Sequence, residues 1–256
     1  MRTSTISAYF FTALILICSE YSLPAQTDPG KALNQTDSRG RKQGEWSKKD
    51  SEGHLIYTGQ FRDDKPYGEF RYYYPEGMLR NTMTYQPDGK TASYTGFHPN
   101  GKKMAEGTYL GKQKEGKWLY YNERGSCASE ENYLNGKASG NWKVFYEEGK
   151  VMEESNYKDG RKTGAWRQYF PSGALKSEAV YQNDVLQGEG RFYFPDGKVR
   201  SSGIYRNGLK DGVWVNYMQN GNKESEIEYL NGEVVAETYY DKVLEKEMKE
   251  DVPELK

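Results

Sequence analysis

Large apolar residues in this chain return in short alternating runs, not at helical spacing. Between Gly140 and Gly160 it reads GNWKVFYEEGKVMEESNYKDG, and nearly every feature there recurs 24 residues earlier and 24 residues later. Stepping by 24 from Gly149 reaches Gly53, Gly77, Gly101, Gly125, Gly173, Gly197 and Gly221, all glycine. An aromatic column runs Phe61, Tyr85, Tyr109, Tyr133, Tyr157, Tyr181, Tyr205 and Tyr229. The unit opens on Gly44, Gly68, Gly116, Gly140, Gly164, Gly188 and Gly212, with Ala92 as the exception. Two residues on comes a large ring, at Trp46, Phe70, Tyr94, Trp118, Trp142, Trp166 and Trp214; Gly190 breaks that column, with Phe192 two positions further. Eight units without insertion therefore cover residues 44 to 235. A fixed period of this size marks a repeat architecture, in which units are stabilised by stacking on their neighbours.

The period is even, so each column returns to the same face of a sheet, because strand side chains alternate with period two. The unit is too rich in glycine and aromatics for helix and has room for two strands of about 5–6 residues. Pro75-Glu76-Gly77, Pro171-Ser172-Gly173 and Pro195-Asp196-Gly197 mark a middle hairpin turn, with proline at the first corner and glycine in the left-handed position. A second, looser turn falls at Asn135-Gly136, Asp159-Gly160, Asn207-Gly208 and Asn231-Gly232, with Asn183-Asp184 as a variant. The predicted fold is all-β: an elongated antiparallel sheet of tandem 24-residue β-hairpin repeats, solenoid-like. Sixteen strands would extend on the order of 75 Å at about 4.8 Å each.

Three residues after the Trp column stand Tyr73, Phe97, Tyr121, Phe145, Tyr169, Tyr193 and Tyr217, an odd offset that puts them on the opposite face. Trp46, Trp118, Trp142, Trp166 and Trp214, with the turn glycines, are expected to be structural. Tyr121, Phe145, Tyr169, Tyr193 and Tyr217 are the candidate binding residues, because aromatic rings dominate interface hot spots. Glu106, Glu130, Glu154, Glu178 and Glu226 form an acidic stripe, either a solvated face or an attraction for a cationic partner.

Residues 1–25 read as a secretory signal peptide: Arg2, an apolar run from Ala8 to Cys18, then Leu23-Pro24-Ala25 before Gln26. The alternatives are an uncleaved anchor and a lipoprotein modified at Cys18. Cleavage would leave no integral membrane segment, a periplasmic or extracellular protein, and Cys127 as its single cysteine, with no intrachain disulfide. Residues 26–43 are a polar, flexible leader, and residues 236–256 a charged tail, read as a short helix stopped by Pro253.

Composition adds mainly exclusions. Formal charge is −1 with both signs interspersed, so no nucleic-acid partner is indicated. His54 and His98 fall at different offsets of the unit, and Cys127 alone cannot complete a zinc cluster. There is no G-x-S-x-G elbow, and the glycines serve turns and do not precede a phosphate-binding helix. The expectation is a non-enzyme without metal or cofactor.

The pattern G-x-W-x-x-Y/F-Y/F-x-x-G followed by E-x-x-Y-x-x-G-x-x-x-G, over residues 44–235, resembles the MORN-variant repeat of YwqK-type bacterial antitoxins. That resemblance implies stacked β-hairpins and neutralisation of a toxin by binding. An export signal would move such a role to the envelope, as an immunity protein. The residues themselves support an exported protein that binds a protein partner through its sheet surface. The alternatives are an envelope polysaccharide binder, whose spaced rings stack on sugars, and an extracellular spacer.

Overall fold

The structure, a computed structural model, describes residues 32–240. Signal peptide, cleavage site and tail helix all fall outside the described residues. Those residues form one antiparallel sheet of 21 strands in which each strand pairs with its neighbour in the chain, and there is no helix among them. The sheet passes the expected repeat boundaries at both ends. Gln35–Thr36 pairs with Lys42–Lys49 inside the predicted leader, and Glu233–Tyr239 runs beyond 235. The first extension is held by Asp37, whose carboxylate takes the backbone N–H of Arg39 and Arg41 and the Arg41 guanidinium.

Both turns are tight. In the middle turn the Gly77 N–H donates to Tyr74 O at 2.9 Å and Gly77 has φ +87°. The register slips by one residue beside it, as between Tyr120 and Tyr121, the bulge expected of such a hairpin. The second turn, expected to be looser, is a two-residue turn with both residues left-handed, Asn135 at φ 51° and Gly136 at φ 78°. It is also tied to the preceding unit, because the Gly136 N–H donates to Lys114 O at 3.0 Å. The same link recurs from Gly160 to Ala138, from Gly208 to Leu186 and from Gly232 to Lys210. This edge of the sheet therefore carries its own backbone ladder.

The opening glycine makes a second bulge. Glu106 pairs with Leu119 and Thr108 with Glu115, so Gly107 alone faces Gly116 to Trp118, and Gly116 takes φ +65°. Ala92 is the exception because its preceding turn is different. Pro87-Asp88-Gly89-Lys90 forms a four-residue turn, closed by Gln86 N–H to Thr91 O and by Asp88 accepting from Lys90 and Thr91. That turn absorbs the extra residues, the strand Thr91–Phe97 pairs with Leu79–Tyr85 without a slip, and Ala92 needs no positive φ.

What lies under each ring decides how deeply it is buried. Trp118, Phe70 and Trp214 lie flat on Gly107, Gly59 and Gly203, where an added Cβ would stand 2.3 Å from ring atoms. All three rings are buried, and their strands, Gln113–Tyr121, Lys65–Tyr73 and Leu209–Tyr217, are continuous. The residues at the same offset before Trp142, Trp166 and Gly190 are Glu131, Ser155 and Ala179. In those units the strand breaks into Lys137–Ala138 and Gly140–Phe145, Arg161–Lys162 and Gly164–Tyr169, Val185–Leu186 and Gly188–Tyr193. Trp142 and Trp166 are then only half-buried, as is Trp46. Gly190 carries no ring because Tyr205 needs the space, its Cε2 lying 2.6 Å from where a Cβ would be. The core is thus one ring thick, completed by Ala92, Ala105, Ala179 and the buried serines 155, 177 and 225.

Candidate binding surface

Each face of the sheet carries an ordered set of side chains. On the face of the Trp column the rings meet edge to face, Tyr109 with Trp118 at 4.9 Å and Tyr205 with Trp214 at 5.0 Å between centroids. Indole N–H groups are satisfied internally: Trp118 donates to Thr108 O, Trp142 to Asn132 O and Trp214 to Ile204 O. Lysines then lie over the rings, Lys42 above Trp46 at 4.7 Å, Lys114 above Trp118 at 4.9 Å and Lys210 above Trp214 at 4.4 Å. Cation–π attraction and the apolar lysine stems make these side chains covers for the core. Sequence reasoning missed this Lys column, although its residues are spaced at multiples of the repeat.

The opposite face gathers the Tyr121 column and the glutamate stripe into one network. Tyr121 Oη donates to Glu106, Tyr169 to Glu154 at 3.0 Å and Tyr193 to Glu178 at 2.6 Å, each partner lying 15 residues earlier. Phe145 has no hydroxyl to give its partner Glu130, which pairs with Lys117 at 2.8 Å. Tyr217 stands 15 residues after Ser202 and takes no part in the carboxylate network. All five aromatics are half-buried. Lysines and arginines close the network, Lys103 on Glu106, Lys143 on Glu154, Arg167 and Arg191 on Glu178, and Lys223 on Glu226. The stripe is therefore already neutralised by this chain's own cations.

The same contacts shift the protonation equilibria of these groups. Hydrogen bonds from Lys103 and then Tyr121 hold Glu106 below the ordinary carboxylate value. At Glu154 burial, the largest influence, pushes the value up, but the bonds from Lys143 and Tyr169 outweigh it and the net shift is downward. Burial first, then the bond to Glu106, pushes the Tyr121 phenol up to about 12. Burial likewise pushes the Cys127 thiol up, so Cys127 is poorly poised as a nucleophile.

The two histidines have structural partners. His54 Nδ1 lies 3.1 Å from Asp50, and His98 Nε2 lies 2.9 Å from Tyr121 O in the next unit. His98 belongs to a column that ties middle turns together, since Tyr74 and Tyr146 donate to Phe97 O and Tyr169 O. Among the described residues no group of three or more His, Cys, Asp or Glu could hold a metal ion, and no helix is long and apolar enough to cross a membrane.

These features define a β-hairpin repeat sheet with two ordered surfaces. Five segments match the family model described as MORN repeat variant, residues 66–86, 90–110, 138–159, 162–183 and 186–207. Those five segments are similar to MORN repeat variants, and they fall in the register read from the 24-residue period. No curated protein matches the chain. Among solved structures, the crystal structure of TarM is 12% identical, with 46% of this chain and 20% of that chain covered and a TM-score of 0.22. The crystal structure of TcdB2-TccC3-TEV is 13% identical over 76% of this chain and 14% of that chain, TM-score 0.21. A pore structure of the Photorhabdus luminescens Tc holotoxin is 12% identical over 72% of this chain and 13% of that chain, TM-score 0.21. The chain spans a fifth or less of the length of these proteins.

Proposed function

We propose that this chain is an exported, non-catalytic scaffold that binds a protein partner through the face carrying Tyr121, Phe145, Tyr169, Tyr193 and Tyr217. The observation that carries this reading is the network on that face. Tyr121, Tyr169 and Tyr193 are held by carboxylates and Phe145 stands in the same column, so docking orders few side chains. Side chains fixed before binding lower the entropic cost of association, which for a flexible side chain is about 0.5–1.5 kcal/mol. If the partner is a toxin, the same surface performs neutralisation in the envelope, the role that the antitoxin resemblance implies.

Affinity capture with residues 26–256 from the native cell envelope, followed by mass spectrometry and sugar analysis, tests the reading. One dominant protein, lost with Phe145→Asp and retained with Ser172→Asp in an exposed middle turn, supports it. Sugar eluting without protein would replace it by the polysaccharide reading, which the half-buried Trp142 and Trp166 on the other face favour. Elution of neither would leave the spacer.

A further inference from the structure

Five cations of the candidate face are each paired with a glutamate, whereas one depression gathers three cations without such a partner. It lies along the second-turn edge, has a volume of ≈ 440 Å³, and is lined by Lys137, Lys158, Asp159, Arg161, Thr163 and Asn183. Lys158 pairs in register with Arg161, and Lys137 belongs to the preceding hairpin, so the lining spans the turns of successive units. Lys158 alternates with Tyr157, which packs on Trp142, so the depression opens on the face of the glutamate stripe.

Lys103, Lys117, Lys143, Arg167 and Arg191 on this face each have a glutamate within 4 Å, whereas no ion pair or side-chain hydrogen bond ties up Lys137, Lys158 or Arg161 among the described residues. Asp159 is the single carboxylate in the lining, which leaves the site net positive. Thr163 and Asn183 add a hydroxyl and an amide at its rim. The repeat carries this local departure: Lys137 and Arg161 are 24 residues apart, and the next two residues in that column are Val185 and Leu209.

We propose that this depression docks an acidic segment of the protein partner, an extended run of Asp and Glu laid along the turn edge. The inference rests on the protein-binding reading above and reverses the polarity suggested by the glutamate stripe. Clustered like charges in a concave surface focus potential and steer an oppositely charged partner. Three cations spread over successive turns fit an extended chain of carboxylates better than one compact anion.

The test measures fluorescence anisotropy of a capped hexaglutamate peptide with the full mature protein at low ionic strength. Binding is expected to weaken roughly tenfold in Lys137→Glu and in Arg161→Glu and to fall with added salt. Exposed Lys176→Glu, outside the depression, leaves binding unchanged. Melting temperatures of all variants are compared with the parent, and Lys158→Ala replaces any charge reversal that unfolds. Equal binding of a capped hexalysine peptide, insensitivity to both charge reversals, or full competition by equimolar inorganic phosphate would each overturn the proposal. A captured partner that binds Arg161→Glu as tightly as the parent also overturns it while leaving the protein-binding reading intact. Hexaglutamate binding that depends on Lys137 and Arg161, without any captured protein, upholds the site and counts against the protein-binding reading alone.

Discussion

Units with a glycine under the ring and units without one are built from the same pattern and come out differently. Trp118 and Trp214, over Gly107 and Gly203, are 1% exposed, and their strands run unbroken. Trp142 and Trp166, whose counterparts of that glycine are Glu131 and Ser155, stay half-buried beside broken strands. A side chain on the preceding strand, Glu131 or Ser155 where the other units have glycine, separates the two cases. In a sheet with one layer of rings, room beneath a ring is what allows a large side chain to be fully covered. The middle units give up some of that burial, and the uncompensated basic depression lies in the same units.

The comparison is broken most severely by removing the rings. Trp118→Ala should cost about 3–5 kcal/mol, the range for fully buried large aromatics, and Trp142→Ala clearly less. Urea unfolding followed by circular dichroism ranks the two, with allowance for stepwise unfolding of a repeat array. Equal losses would mean that exposure does not track the energetic contribution of the column.

A smaller effect is expected from filling the space. A Cβ at Gly107 would stand 2.3 Å from the Trp118 ring, so Gly107→Ala must lift the indole and should cost about 2–3 kcal/mol, the scale of overpacking. Acrylamide quenching should rise at the same time, as the indole leaves its covered position.

The opening glycine offers a third contrast. Gly116 sits at φ +65°, and Gly116→Ala should cost about 1 kcal/mol or somewhat more, because the new side chain is held in a disfavoured conformation. Ala92→Gly, in a regular strand, should cost about 0.5–1 kcal/mol through chain entropy and the loss of a buried methyl. Thermal melts of the two variants rank these effects, and a larger loss for Ala92→Gly would mean that the positive φ carries little strain.

The smallest expected effect concerns the opposite face. Glu106 and Glu154 have depressed values in the folded state, so their stabilising contribution is present above about pH 4.3, the unfolded value, and is lost as pH falls through the folded values. The double variant Glu106→Gln, Glu154→Gln should therefore show a shallower loss of stability in acid than the parent. An unchanged acid slope would mean that these partly exposed bonds carry little energy, as surface pairs often do.

Much of this fold is legible in the sequence, because a 24-residue period of glycines and rings determines strand, turn and face together. The five MORN repeat variant matches fall on the same register. The depth of each tryptophan is not legible from its own column, since it depends on a residue 11 positions earlier across the bulge, as Gly107 is to Trp118. Variation between Asn-Gly and Asn-Asp suggests a loose second turn, but its tightness comes from two left-handed residues and the backbone link to the unit before. On the candidate face, alternation places the Tyr121 column opposite the tryptophans. Its pairing with glutamates 15 residues earlier follows from register across the hairpins, which period alone does not supply. The basic depression escapes a reading of the sequence because overall charge is balanced at −1, which conceals a local departure of three residues.

The residue beneath the ring, more than the ring itself, sets how tightly a unit is packed. The most direct test of this compares the unfolding free energies of Gly107→Ala and Ser155→Ala, which place the same methyl at matching positions in the two kinds of unit. The expected loss is about 2–3 kcal/mol for Gly107→Ala and under about 1 kcal/mol for Ser155→Ala. Equal losses, or a larger loss at Ser155, would contradict it.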